Sequence, residues 1–275
     1  MKQIAWIGTG VMGGQQAGHL AKNAYPVKAY NRSQDKLEAL KEEFGLIPCE
    51  TIAQAVDGAD VVFVMVGYPK DVEEVFLGKG GIFENAKEGA LLIDMTTSSP
   101  SLAQRLYEEG KKKGLRVMDA PVSGGDSGAR NGTLSIMVGG DEKDFEEALP
   151  LFECMGKNIV HMGPAGFGQH TKAANQIAVA GATAAYTEAL VYAQKAGLAG
   201  SWQLSNMAPR VLKGDLAPGF FVKHFIKDMK IIEEEAGKWG VELSMLDSVL
   251  KMYEEMSRMG LDNDGTQALI KYYQK

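Results

Sequence analysis

Ile4-Ala5-Trp6-Ile7-Gly8-Thr9-Gly10-Val11-Met12-Gly13 begins with an apolar run, continues through three spaced glycines and enters an amphipathic segment. The first glycine permits a tight turn out of a strand. The second lets backbone amides approach a diphosphate, and the third lets a helix pack closely on the strand. The N-terminus of that helix carries partial positive charge and favours an anion. A glycine pattern alone is common. Its placement at a first strand-to-helix turn makes Gly8, Thr9, Gly10, Val11, Met12 and Gly13 a dinucleotide-binding turn.

Working outward, short β-rich runs alternate with amphipathic segments for about 160 residues. Val27–Tyr30, Val61–Val66, Leu91–Ile93, Val117–Asp119, Leu134–Val138 and Ile159–His161 are the expected later strands, and Asp35–Phe44 is an expected helix. Unalternated apolar runs such as Val61–Val66 fit strands covered on both faces. The texture changes after Gly163-Pro164-Ala165-Gly166-Phe167-Gly168, beyond which β-rich runs almost cease. A long helix is expected from about Gln169 to Ala196, stopped by Gly197 and Gly200. The fold class is therefore α/β: an N-terminal Rossmann-type doubly wound sheet, then an all-α C-terminal domain joined by the long helix. The expected domains are residues 1–162, binding NAD(P), and 163–275, helical and concerned with substrate and oligomerisation.

The second strand exits at Tyr30-Asn31-Arg32-Ser33. An NAD-selective site usually places an acid here, against the ribose hydroxyls. Asn31 stands in that place, followed by Arg32, whose guanidinium suits a 2′-phosphate that a carboxylate would repel. Ser33 and Lys36 are positioned to assist. NADP is the expected cofactor, with NAD possible. The alternative for Arg32 is a solvated surface charge, or stacking on the adenine without selecting either cofactor.

A second informative stretch is Asp119-Ala120-Pro121-Val122-Ser123-Gly124-Gly125, a strand exit running into a flexible turn with one hydroxyl and bare amides. Some fifty residues later, Lys172-Ala173-Ala174-Asn175 puts an ammonium and an amide on one helical face. An anion cradle with a lysine proton donor suits redox chemistry on a hydroxy acid. The net charge of −6 gives no general attraction to nucleic acid or acidic membranes. Two cysteines, Cys49 and Cys154, are too few for a disulfide framework and fit a reducing cytoplasm. No metal-ligand spacing occurs, so no metal is expected. Ile4–Ile7 is too short for a signal peptide. Ile177–Ala185 falls short of the roughly 20 apolar residues of a membrane span and reads as a buried helix.

These residues resemble the β-hydroxyacid dehydrogenase family, which includes 3-hydroxyisobutyrate dehydrogenase, tartronate semialdehyde reductase and the glyoxylate/succinic semialdehyde reductases. The resemblance runs nearly end to end. It covers the turn at Gly8–Gly13, the stretch Asp119–Gly125 with Gly128–Leu134, the stretch Gly163–Asn175, and Lys227-Asp228-Met229. It implies that Lys172 is the general acid in reduction, which requires an environment that lowers its pKa. It also implies that Asn175 orients the substrate or Lys172. Ser123, Gly124 and Gly125 would hold a substrate carboxylate and position the carbonyl. Met65 and Val66 would lie beside the cofactor, Thr97 near its nicotinamide end and the substrate, and Lys227 against the nicotinamide ribose. Where the family often has a proline soon after the position of Met65, this chain reads Val66-Gly67-Tyr68-Pro69. The implied assembly is a homodimer or homotetramer acting on a small carboxylate substrate, with no nucleic acid or membrane partner.

Bland alternatives accompany these roles. Thr97 is placed to cap a helix starting near Ser99 or Pro100, and Lys227 to pair with an acid such as Glu234. The expected activity is NADP-dependent reduction of a semialdehyde or glyoxylate. The runner-up is NAD(P)-linked oxidation of 3-hydroxyisobutyrate or a related β-hydroxyacid, and a non-catalytic NADP-binding module is the alternative of another class. The glycine-rich stretch after Val122 also resembles 6-phosphogluconate dehydrogenase. That family usually carries a histidine three residues after its lysine, where this chain has Asn175. Phe220, Phe221, Phe225 and Asp228 are candidates for the far end of the substrate pocket.

Overall fold

A computed structural model describes residues 2–195 and 215–274. The expected helix stop at Gly197 and Gly200 lies outside the described residues. In chain order the elements begin β1 (Ile4–Ile7), α1 (Val11–Lys22), β2 (Val27–Tyr30), α2 (Gln34–Phe44), β3 (Ile47–Cys49), α3 (Ile52–Val56) and β4 (Val61–Val64). Next come α4 (Pro69–Leu77), α5 (Ile82–Asn85), β5 (Leu91–Asp94), α6 (Pro100–Lys112), β6 (Arg116–Asp119), β7 (Val122–Ser123) and α7 (Gly125–Asn131). Then follow β8 (Leu134–Gly139), α8 (Glu142–Phe152), β9 (Gly156–Gly163) and the long α9 (Phe167–Lys195). Among residues 215–274 come α10 (Val222–Gly237), α11 (Ser244–Arg258) and a 3-10 helix (Thr266–Gln274).

The chain divides into two compact units, Met1–Lys172 and Ala173–Lys275. The first contains one sheet in the order β3-β2-β1-β4-β5-β6-β8-β7, with β9 paired to β8. β1 to β6 run parallel, while β8 runs antiparallel to β6. The order 3-2-1-4-5-6 places β1 and β4 side by side, where the connections reverse direction and ligands bind outside the strand ends.

Alternation along each strand builds two cores. Ile4 and Trp6 of β1 face one side, with Phe63, Leu20 of α1, Leu37 of α2 and Phe152 of α8. Ala5 and Ile7 face the other, with Val62 and Val64, Val72 and Phe76 of α4, and Leu106 of α6. Trp6 stacks on Phe63 at 5.1 Å, and Phe152 meets Phe63 edge-on at 6.3 Å. Both faces of β4 are buried, which is why it lacks polar alternation.

The second unit packs Ala180 and Ala184 of α9 with Phe225, Met229 and Ile232 of α10 and Leu246, Leu250 and Tyr253 of α11. Tyr253 is buried, and its hydroxyl donates to Thr266 O at 2.8 Å. Ile177–Ala185 is helical, but Ala178, Val179, Ala182 and Ala185 are exposed in the single chain. That corrects the expectation of a wholly buried segment. An alanine-rich helix has no wide polar stripe, so its hydropathy does not tell covered from open faces.

Candidate active site

The turn after β1 is built by close backbone approach. Gly8 has φ +95°, and a Cβ there would stand 2.3 Å from Met65 O. A Cβ on Gly13 would stand 2.1 Å from Gly8 O. Trp6 Nε1–H donates to Gly8 O at 2.9 Å and holds the turn from below. Gly10 differs: a Cβ there meets nothing within 4 Å. The space above Gly10 is open, α1 has no side-chain cap, and no acid stands in its first turn. Its first N–H groups therefore face that space without a competing anion. The Thr9 hydroxyl is buried without a hydrogen-bond partner. Shape, dipole and an orphaned hydroxyl all fit a dinucleotide diphosphate, and Thr9, Gly10, Val11 and Met12 are the residues that would hold it.

At the exit of β2, Asn31 Oδ1 accepts from Thr9 N–H at 3.4 Å and Nδ2 donates to Ser33 O at 3.0 Å. Arg32 is exposed, with Nη1 3.6 Å from Asp71 Oδ1. Asp71 also accepts from Tyr68 N–H at 3.0 Å, opening α4. Ser33 is exposed at the N-cap of α2.

Met65 and Val66 leave β4 half-buried. Val66 N–H donates to Thr96 Oγ1 at 3.0 Å, which joins the β4 exit to the loop after β5. Thr97 lies in that loop, half-buried between Thr96 and Ser98. The cap of α6 is Ser99, whose Oγ accepts from Leu102 N–H at 3.1 Å, so the capping alternative for Thr97 falls to Ser99.

Asp119, at the end of β6, is 2 % exposed. Its Oδ1 accepts from Gly166 N–H at 2.6 Å and its Oδ2 from Gln169 N–H at 2.8 Å. A strand-end carboxylate thus caps the first turn of α9, compensating N–H groups that the helix leaves open. Burial nevertheless pushes this carboxyl up to about 6, outweighing the lowering effect of the Gly166, Gln169 and Gly168 amides. Gln169 is 1 % exposed, and Lys172, one turn further along α9, is 6 % exposed. Burial of a lysine is uncommon and marks it for a role beyond solubility.

Ser123 ends β7, opposite Ser135 of β8. Gly124 follows at φ +134° and Gly125 at φ +63°, conformations that a side chain would oppose. They bend the chain into α7, which has no side-chain cap. His19 of α1 places Nε2 2.9 Å from Ala129 O and 3.1 Å from Arg130 O, which ties α1 to α7.

Within the second unit, Asn175 Nδ2 donates to Gln176 Oε1 at 3.0 Å, and Gln176 Nε2 donates to Asp228 Oδ2 at 2.5 Å. Lys227 Nζ lies 3.0 Å from Asp228 Oδ1 in a buried ion pair. One partner of Lys227 is thus the buried acid beside it in sequence. Burial, then the charges of Lys227 and Lys223, push His224 down to about 4.

Neither Asp119 nor Gln169 is marked by local sequence as a site organiser. Their partners lie across the sheet, and the available signal is an acid at a strand exit followed much later by Gly166-x-Gly168 at the start of a helix. Among the described residues no cluster of His, Cys, Asp and Glu is placed to hold a metal ion, and no helix is long and apolar enough to cross a membrane.

Comparison with known proteins places this geometry in context. Residues 3–163 match the model of the NAD binding domain of 6-phosphogluconate dehydrogenase. Residues 166–273 match the NAD-binding model of NADP-dependent 3-hydroxyisobutyrate dehydrogenase. The chain is 50% identical to the uncharacterized oxidoreductase YkwC of Bacillus subtilis, over 100% of this chain and 99% of that one. It is 34% identical to 2-hydroxy-3-oxopropionate reductase of Escherichia coli, over 98% of this chain and 96% of that one. It also superposes on 3-hydroxyisobutyrate dehydrogenase of Mycobacterium tuberculosis, solved with L-serine, with TM-score 0.89 and 26% identity over 100% of both chains. With a Rossmann-type sheet, an open glycine turn and both halves matched, the chain belongs to the NAD(P)-dependent β-hydroxyacid dehydrogenase family of oxidoreductases.

Proposed function

We propose that this protein reduces a small aldehyde acid, a semialdehyde or glyoxylate, to the corresponding hydroxy acid with NADPH. The observation that carries this is the buried Lys172, seated one turn into a helix whose start is capped by Asp119 and tied through Gln169 to the Thr97 loop. An ammonium held on rigid elements is a pre-positioned proton donor.

The nicotinamide, when bound, supplies the hydride. The protein's own residues do the rest. Ser123 Oγ and the N–H groups of Gly124 and Gly125 hold the substrate carboxylate and fix the direction of its carbonyl. Lys172 Nζ donates a proton to the carbonyl oxygen as charge develops there, and takes it back in the oxidative direction. Asn175, three residues on in α9, orients the substrate or the lysine. Thr9, Gly10, Val11 and Met12 hold the diphosphate, Asn31 and Ser33 border the ribose, and Arg32 takes a 2′-phosphate. Met65, Val66 and Thr97 stand by the nicotinamide end, and Lys227 by its ribose. In this assignment residues 1–162 are the cofactor domain and 163–275 the helical domain, and the active form is a homodimer or homotetramer.

Similarity to the Escherichia coli 2-hydroxy-3-oxopropionate reductase supports the reductive direction. Likeness to the Mycobacterium tuberculosis 3-hydroxyisobutyrate dehydrogenase supports a second reading, oxidation of a β-hydroxyacid. Initial rates with NADPH and NADH on glyoxylate and on succinic, tartronate and methylmalonate semialdehydes, with the matching hydroxy acids in reverse, separate the two. Turnover confined to hydroxy-acid oxidation would exchange the readings, and cofactor binding with no turnover would make the protein a binding module.

A further inference from the structure

The residues flanking Thr97 are held by one side chain. Gln169 Nε2–H donates to Thr96 O at 2.7 Å, and Gln169 Oε1 accepts from Ser98 N–H at 2.9 Å. The amide therefore bridges the peptide groups on either side of Thr97, as a neighbouring strand would. Gln169 and Thr96 are each 1 % exposed and Ser98 is 2 % exposed, so water does not compete for these bonds. The anchor continues in both directions. Thr96 Oγ1 accepts from Val66 N–H at 3.0 Å, and Thr96 N–H donates to Asp94 Oδ1 at 2.9 Å. Gln169 N–H donates to Asp119 Oδ2 at 2.8 Å. Gln169 thus joins the exits of β4, β5 and β6 to the turn of α9 that precedes Lys172.

We propose that Gln169 is a positioning residue whose side-chain amide holds Thr97 in register with Lys172. This role rests on the functions proposed above for Lys172 and Thr97. A residue of similar size without an amide leaves Thr96 O and Ser98 N–H buried and unpaired, and the loop must shift to find other partners. A shift of about 1 Å at a reacting centre costs on the order of a hundredfold in rate.

The test is a double-mutant cycle with Gln169→Leu, Thr97→Ala and the pair, assayed with NADPH and the aldehyde acid turned over fastest in the panel. Each single change is expected to lower kcat/KM for the aldehyde by about tenfold to a hundredfold. In Gln169→Leu, NADPH affinity, read by fluorescence titration, stays within about threefold because the glycine turn that holds the diphosphate is untouched. The double variant should lose no more than the worse single one, because both act through the same loop. Gln169→Glu supplies an independent readout. A protonated carboxyl donates to Thr96 O and accepts from Ser98 N–H, whereas an ionised one repels Thr96 O. Its kcat/KM relative to wild type should approach unity at acid pH and fall as pH rises. Asp119, bonded to the residue-169 N–H, Asp94, joined to it through Thr96, and Lys172, one turn on, are the charged groups around the new carboxyl, and the ratio reads its titration together with theirs. Strictly additive losses, wild-type kcat/KM in folded Gln169→Leu, or a silent Thr97→Ala would overturn the proposal. If Gln169→Leu does not fold, a flat pH ratio for Gln169→Glu overturns it. Near wild-type turnover in Lys172→Ala is a different failure, that of the underlying function.

Discussion

Gly168 and Asp119 are matched by contact: a Cβ on Gly168 would stand 2.8 Å from Asp119 Oδ2 and 2.4 Å from Met137 O. The helix that carries Lys172 can approach the strand-end carboxylate only because this position lacks a side chain. Gly168→Ala should push the start of α9 away from β6 and β8. Overpacking at such a site costs about 1–3 kcal/mol. The loss of kcat should exceed what the fall in Tm explains, since the displaced turn precedes Lys172. A folded Gly168→Ala protein with unchanged kcat and Tm would show that the contact is relieved elsewhere.

The Asp119 carboxyl makes a prediction about pH. Its value in the fold, about 6, lies above the ordinary 3.8, with burial as the main cause. Between those values the folded chain holds a proton that the unfolded chain has released. This group therefore favours folding most below about pH 4, and that contribution is lost as pH rises through 6. The swing is about 3 kcal/mol, from some two pH units at 1.4 kcal/mol each. Asp119→Asn cannot titrate, and its amide turns a donor toward the Gly166 or Gln169 N–H. The variant should be less stable throughout, with a gap to wild type that narrows from pH 4 to pH 7. Unfolding midpoints at several pH values measure it, and a constant gap refutes the assignment.

Removal of the lysine amine tests the proton donor. Lys172→Ala should lower kcat by about 10²- to 10⁴-fold, the range for loss of a positioned acid. NADPH binding should stay close to wild type, because the glycine turn and Arg32 are distant in sequence and on other elements. Stopped-flow reduction and fluorescence titration together separate chemistry from binding. Retention of near wild-type kcat would remove Lys172 from the mechanism.

In the proposed NADP site, Arg32 and Asp71 are expected to bias the cofactor in opposite directions. Arg32 Nη1 lies 3.6 Å from Asp71 Oδ1, so a 2′-phosphate must share the guanidinium with a carboxylate. Arg32→Ala should lower the NADPH-to-NADH ratio of kcat/KM by about tenfold to a hundredfold, the range for a charged hydrogen bond. Asp71→Asn should raise that ratio severalfold by removing the competing charge. An unchanged ratio in Arg32→Ala would end the case for NADP preference.

The sequence alone determined the α/β class, the strand-turn-helix at Gly8–Gly13, and the change to helices after Gly168. These rest on local signals: apolar runs without alternation, glycines where φ is positive or backbones touch, and 3.6-residue periodicity. β3 escaped because Ile47-Pro48-Cys49 is short and carries a proline, which is tolerated here on a sheet edge. Tertiary structure alone decided that Asp119 caps α9 and that Gln169 grips the loop around Thr97. The capping and clamping partners are brought together by the sheet from 47 to 73 positions apart, and no local pattern encodes such distances. A hydrogen bond needs two groups within about 3 Å, and only the assembled core supplies that proximity.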